Sequence, residues 1–206
     1  GQVSAAATTL GLYLDDQRQG SGTLPEFAFF DCHACHHPLT FRRWAPRATT
    51  GLPPGLVRFN DAHILMLLYL TEALDPALAQ ELKQALRALH HATTESADAT
   101  RAAATALKAT VSKARGTFAG QAFEADVIRR ILDSIVAGGI NGDYRDFAAA
   151  EQAVMAINAL SASLDFAATP AIADHIKSLY AVLEDENTFD AEKLSAAFVA
   201  LKPALR

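Results

Sequence analysis

The sequence has very little cysteine and no long apolar segment. Only two cysteines occur among its 206 residues, and they lie three positions apart. A scaffold held together by disulfides needs more cysteines at wider spacing, so that class is excluded. The longest apolar run, around 62–70, is half of the roughly 18 residues that a membrane-spanning helix needs. The cysteines therefore indicate one local chemical device in a chain without a membrane span.

A strong excess of one charge is also lacking. The net charge is −5, and residues of both signs are spread along the chain. Surfaces that bind nucleic acid or acidic membranes concentrate lysine and arginine, so neither partner is expected. Position 1 is Gly, and the first residues lack the basic start and apolar middle of a signal peptide. We expect that a leader has been removed or that the chain is part of a longer protein.

Strand patterns are scarce, whereas alanine and leucine dominate. No stretch alternates apolar and polar residues for long, so the sequence predicts an all-α fold with an antiparallel helical bundle. Asp75 before Pro76 is a typical helix beginning, and Asp143 and Asp190 are expected to be further N-caps. The predicted helices are 4–17, 61–74, 76–91, 95–115, 121–137, 144–164, 170–183 and 191–201.

One short motif carries recognisable chemistry. Residues Cys32, His33, Ala34, Cys35 and His36 follow each other in the pattern of covalent haem attachment. Two thiols at this spacing can each bond one vinyl-derived carbon of the macrocycle, and the following histidine is then held at the iron. The sequence therefore predicts one haem c, bound through Cys32 and Cys35 with His36 as an iron ligand.

Other chemistry can use two cysteines at this spacing. They can form a dithiol redox pair, although that motif expects a βαβ setting. They can supply half of a zinc site, completed by His36 or His37 and a distant residue. They can also be buried, unreactive thiols. These alternatives stay open beside the haem interpretation.

The residues on both sides of the motif sharpen the haem interpretation. A short segment that is rich in aromatic residues and ends in Asp31 precedes the motif, and Arg42, Arg43 and Trp44 follow it. Together these residues resemble the haem-binding segment of multihaem c-type cytochromes, over 27–70. The resemblance extends more loosely to 143–164, which is similar to the helical tail of that family. Members of the family carry several such motifs, and this chain has one, so further haems lie upstream of Gly1 or the chain is a single-haem relative.

The resemblance implies an electron carrier rather than an enzyme. Its partners would be other redox proteins or haem subunits, with homo- and hetero-oligomers both open. Haem c is attached beyond the cytoplasmic membrane, so a periplasmic or extracellular bacterial location is expected. We expect 1–92 to form the haem-binding segment and 93–206 a helical scaffold, with one continuous domain as the alternative.

The second axial ligand decides between electron transfer and chemistry at an open iron. His63 is the best candidate, because it lies in the first turn of an apolar helix, on one face with Phe59 and Met66. Low-spin bis-histidine ligation through His36 and His63 is therefore predicted. The alternatives are Met66, His90 or His91, His175, and an open sixth position, which would make the protein a gas sensor or a peroxidase-like enzyme.

Basic and aromatic residues near the motif are further candidate haem contacts. A guanidinium group matches a carboxylate, so arginines of this segment are expected to pair with the haem propionates or to lie on a solvated loop. Aromatic rings are expected to line the macrocycle. The arginines are Arg42, Arg43 and Arg47, and the aromatic residues are Phe29, Phe30, Phe41 and Trp44.

Overall fold

The prediction of an all-α fold is confirmed. The computed structural model describes residues 1–15, 29–31, 47, 50–53, 56–164 and 169–205. Among these residues, extended backbone is paired only in an isolated antiparallel bridge between Phe30 and Phe59. The described residues form eight α-helices: α1 Gln2–Tyr13, α2 Ala62–Leu74, α3 Pro76–Ala92, α4 Ala97–Phe118, α5 Ala125–Ile140, α6 Phe147–Ser163, α7 Pro170–Ala181 and α8 Ala191–Leu201.

Side-chain caps fix several helix beginnings. The carboxylate of Asp75 accepts a hydrogen bond from Leu78 N at 3.1 Å, and that of Asp190 accepts one from Glu192 N at 2.9 Å, so both predicted caps are confirmed. The predicted cap at Asp143 is wrong. Helix α6 begins later, at an N-cap formed by Asp146.

Helix α2 is the centre of the bundle. Eight of its thirteen residues are buried, and they lie on all sides of the helix. A helix that is apolar all round needs neighbours on every side. It packs against α1, α3, α5 and α6. Each fully buried leucine or isoleucine contributes roughly 1.5–3 kcal/mol to the stability of the fold.

Two glycines allow close packing around α5. A Cβ atom at Gly138 would overlap the ring of Tyr69 on α2, and one at Gly139 would overlap the ring of Phe198 on α8. Tyr144 packs between these rings, 5.7 Å from Tyr69 and 5.6 Å from Phe198. The approach of three helices therefore depends on the absence of side chains at these two positions.

In the part of the chain that the structure describes, one cluster of buried apolar residues extends from Ala6 in α1 to Leu201 in α8. Helices α3 and α4, on either side of the proposed boundary at 92/93, pack against each other. The division into two segments stays a prediction. Within the described ranges, no helix is long and apolar enough to cross a bilayer.

Candidate functional site

Of the residues predicted to contact the haem, the structure describes Phe29, Phe30, Arg47 and His63. It also describes Asp31, the residue immediately before the motif. The surroundings of these residues form the part of the candidate site that the structure describes. The other predicted contacts lie outside the described residues; they are Cys32, Cys35, His36, Phe41, Arg42, Arg43 and Trp44.

The segment before the motif is fixed beside the segment that leads into α2. Asp31 N donates to Arg58 O at 2.9 Å, and Asn60 N donates to Phe29 O at 2.8 Å. These two bonds flank the antiparallel bridge between Phe30 and Phe59. Paired residues of this kind have Cα atoms about 4.5–5.5 Å apart. The chain therefore enters the cysteine motif next to the beginning of the helix that carries His63.

Four aromatic rings pack around this bridge. The rings of Tyr13 and Phe59 meet edge to face with centroids 5.3 Å apart, and Tyr13 meets Phe29 in the same way at 5.5 Å. Phe29 and Phe59 are buried, so they belong to the core. Phe30 is half-buried at the edge of the cluster, with its centroid 6.1 Å from that of Phe59. Its predicted contact with haem stays a prediction.

His63 lies in the first turn of α2 and is half-buried. Its Nδ1 is 2.9 Å from the side-chain oxygen Oε1 of Gln2 on α1. No described residue forms a hydrogen bond with its Nε2. Burial lowers the pKa of His63, which favours the neutral imidazole. A neutral imidazole with one nitrogen bonded to an oxygen and the other unpaired is the usual arrangement of a metal-bound histidine.

The alternative ligands are in different surroundings. Met66 is buried in the core side of α2, and His90 is fully buried with Nε2 2.8 Å from Asp61 Oδ2. His91 is exposed at the end of α3, and His175 is half-buried on α7. Among the described histidines, His63 therefore combines partial burial, an unpaired Nε2 and nearness to the motif.

Arg47 is buried inside the protein. Its Nη2 pairs with Asp61 Oδ2, its Nη1 is 3.3 Å from Asp146 Oδ2, and the side chain has no exposed surface. Because the side chain is buried, the alternative of a solvated loop is wrong for Arg47. Both terminal nitrogens face carboxylates of the chain, and the propionate role of Arg47 stays a prediction. A buried guanidinium needs such partners, since leaving one charge unpaired costs about 3–5 kcal/mol.

The ion pairs around Arg47 continue to the motif. Arg58 contacts Asp31 through Nε at 2.9 Å and through Nη2 at 2.5 Å, and the same Nη2 is 3.4 Å from Asp146 Oδ2. Asp146 also caps α6, since Ala149 N donates to its Oδ1 at 2.7 Å. Charged side chains thus connect the residue before Cys32 with the N-terminus of α6.

Two titratable groups, Asp61 and His90, lie at the buried end of this network of charged side chains. Burial by itself would raise the pKa of Asp61, but the Arg47 guanidinium and His90 outweigh that effect and hold the pKa well below its usual range. Burial lowers the pKa of His90 although Asp61 opposes the shift. Asp61 is therefore an anion beside a neutral His90, whose Nε2–H donates to it.

Sequence reasoning did not find this network. A signal existed for His90, because it continues the buried face of α3 at helical spacing from Leu82 and Leu86. Asp61 is the N-cap residue of α2, yet its side chain makes no capping bond. Arg47 gave no local signal, because its partners lie 14 and 99 positions away.

The described residues contain no group of three or more His, Cys, Asp or Glu side chains that could hold a metal ion. Comparisons with protein families, with curated proteins and with solved structures gave no match to this chain.

Proposed function

We propose that the protein is a c-type cytochrome that transfers electrons. Cys32 and Cys35 would bind one haem covalently, and His36 and His63 would bind its iron. The motif is the main support, because two cysteines at this spacing with a histidine directly after them form the pattern of covalent haem attachment. When bound, the haem iron supplies exchange of one electron between its ferric and ferrous forms.

The structural observation that favours this function most is the bridge between Phe30 and Phe59. It holds the residues before the motif beside the beginning of α2. His36 follows Asp31 by five positions, which is at most about 18 Å of extended chain. His63 follows Phe59 by four positions, at most about 14 Å of chain, and is the second residue of α2. Both proposed ligands are therefore separated from the bridge between Phe30 and Phe59 by only a short length of chain.

The surroundings of His63 fit the role of an iron ligand. Its neutral imidazole has Nδ1 on the oxygen of Gln2, and its Nε2 is unpaired among the described residues. Two histidine ligands keep the iron six-coordinate, which suits electron transfer better than ligand exchange. The proposed partners are other redox proteins or haem subunits, and the proposed location is periplasmic or extracellular.

The first test is the absorption spectrum of the dithionite-reduced protein with and without carbon monoxide. The proposal expects a sharp low-spin haem c spectrum that carbon monoxide leaves unchanged. Haem that stays with the polypeptide after denaturation would establish the covalent bonds. A shift with carbon monoxide would instead support the open-site alternative, a gas sensor or peroxidase-like protein. Absence of haem bands would overturn the proposal, and a protein that contains zinc would then support a zinc site at the cysteine motif.

The ligand assignment is tested with two single variants. His63→Ala is expected to open the iron to carbon monoxide while the haem stays covalently attached. His91→Ala removes an exposed histidine and should keep the wild-type spectrum. If His63→Ala remains six-coordinate with the same ligand type, His63 is not the ligand.

A further inference from the structure

We infer that Gln2 is a positioning residue for His63: its side-chain carbonyl accepts a hydrogen bond from Nδ1–H and leaves the Nε2 lone pair for the iron, while Gln152 holds Gln2 in place. The inference rests on the proposed function, because it concerns the proposed ligand. It assigns a role in tuning the haem to two glutamines that lie outside the haem motif.

The contact joins three helices through side chains alone. His63 is in the first turn of α2, Gln2 is the first residue of α1, and Gln152 is on α6. Gln2 Oε1 lies 2.9 Å from His63 Nδ1, and Gln2 Nε2 lies 3.1 Å from Gln152 Oε1. Both ends of the Gln2 amide are thus engaged, which fixes its rotation.

The direction of these bonds sets the tautomer of His63. Because the amide nitrogen of Gln2 donates to Gln152, the carbonyl oxygen is the end that faces His63. A carbonyl oxygen can only accept, so Nδ1 must carry the proton. The neutral ring then has its lone pair at Nε2, which is the form that binds a metal. Reversing both amides would put the proton on Nε2 and prevent ligation there.

The same bond is expected to set the reduction potential. A hydrogen-bond acceptor at Nδ1, the ring nitrogen that does not bind the iron, raises the basicity of a ligating histidine. A more basic ligand favours ferric iron over ferrous iron. A stronger acceptor should therefore lower the potential, and loss of the acceptor should raise it. A role limited to packing would not produce shifts of opposite sign.

The experiment compares the midpoint potentials of the haem-loaded wild type, Gln2→Leu and Gln2→Glu. We expect the midpoint potential to rise in Gln2→Leu and to fall in Gln2→Glu. Each shift should be about 59 mV, which for one electron is a tenfold change in the ratio of ferrous to ferric iron. Ser4→Glu adds the same charge at an exposed position of α1, and Gln84→Leu removes an exposed glutamine. Both controls should shift the potential much less.

A second readout concerns the proton itself. The reduced low-spin protein is diamagnetic, so NMR can follow the Nδ1–H of His63 and its exchange with water. Slow exchange in the wild type, and faster exchange in Gln2→Leu and Gln152→Leu, would support the inference. A proton on Nε2 in the wild type, or unchanged potentials in both Gln2 variants, would overturn it. If His63→Ala does not open the iron, His63 is not the ligand, and the ligand assignment on which this inference rests fails instead.

Discussion

One guanidinium, that of Arg58, donates from two of its nitrogens to a single carboxylate oxygen of Asp31. The Nε and Nη2 atoms of Arg58 lie 2.9 and 2.5 Å from Oδ2 of Asp31. Since Asp31 directly precedes Cys32, this ion pair fastens the start of the motif to the segment before α2. The side chains are only 15% and 10% exposed, so water screens the pair weakly.

Replacing Arg58 by leucine should destabilise the protein. The change removes a mostly buried cation and leaves the carboxylates of Asp31 and Asp146 with fewer partners. We expect the free energy of unfolding to fall by about 3 kcal/mol, measured by urea denaturation. Arg130→Leu is the control, because Arg130 pairs with Asp126 at the surface and should cost at most about 1 kcal/mol. Equal losses in the two variants would contradict the anchoring role.

His90 should make stability depend on pH. Its pKa is lowered in the folded protein, whereas an unfolded histidine has a pKa of about 6.5. Its contribution is therefore complete above about pH 6.5 and is lost as the pH falls toward the lower folded value. Below about pH 6.5 the unfolded chain binds a proton that the folded chain does not, so the free energy of unfolding should decrease by up to about 1.4 kcal/mol per pH unit.

The variant His90→Gln tests this dependence, because an amide can donate to Asp61 but cannot titrate. We expect the stability difference between the wild type and this variant to shrink as the pH falls from about 7 to about 5. His91→Gln alters an exposed neighbour and should keep the wild-type slope. A constant difference between the wild type and His90→Gln across this range would refute the prediction.

The Tyr69 hydroxyl should contribute to stability through one buried bond. It donates to Asp143 Oδ2 at 2.6 Å, and burial raises the pKa of Tyr69, so it remains a donor. Tyr69→Phe leaves a buried carboxylate oxygen without this donor, which should cost about 1–3 kcal/mol in urea denaturation. Tyr180→Phe, at an exposed site on α7, should change stability by less than about 0.5 kcal/mol. If Tyr69→Phe leaves the free energy of unfolding unchanged, Asp143 has formed a hydrogen bond with another partner.

Two glycine substitutions should act in opposite directions. Gly139→Ala places a methyl group against the ring of Phe198, and we expect overpacking to cost about 1–3 kcal/mol or more. Gly116 is an exposed residue within α4, with no atom within 4 Å of a new Cβ, so Gly116→Ala should gain about 0.5–1 kcal/mol. Thermal unfolding of both variants measures the contrast. Destabilisation by Gly116→Ala would show that helix propensity does not govern that position.

The helices were predictable because their signals are local. Apolar spacing along the chain identified all eight, and Asp75 and Asp190 marked two beginnings through side-chain bonds to nearby backbone. The failure at Asp143 has a tertiary cause. Its carboxylate accepts a hydrogen bond from the hydroxyl of Tyr69, 74 positions away, and Asp146 caps α6 instead.

The sequence by itself determined the all-α class and the haem prediction, because helix periodicity and the spacing of Cys32, Cys35 and His36 are encoded within a few neighbouring residues. Only the tertiary structure decided which polar side chains meet. Gln2 and His63 are 61 positions apart, and Arg47 and Asp146 are 99 apart. Such pairs form when apolar burial brings distant helices together, and a buried charge then takes whichever opposite charge the packing leaves beside it.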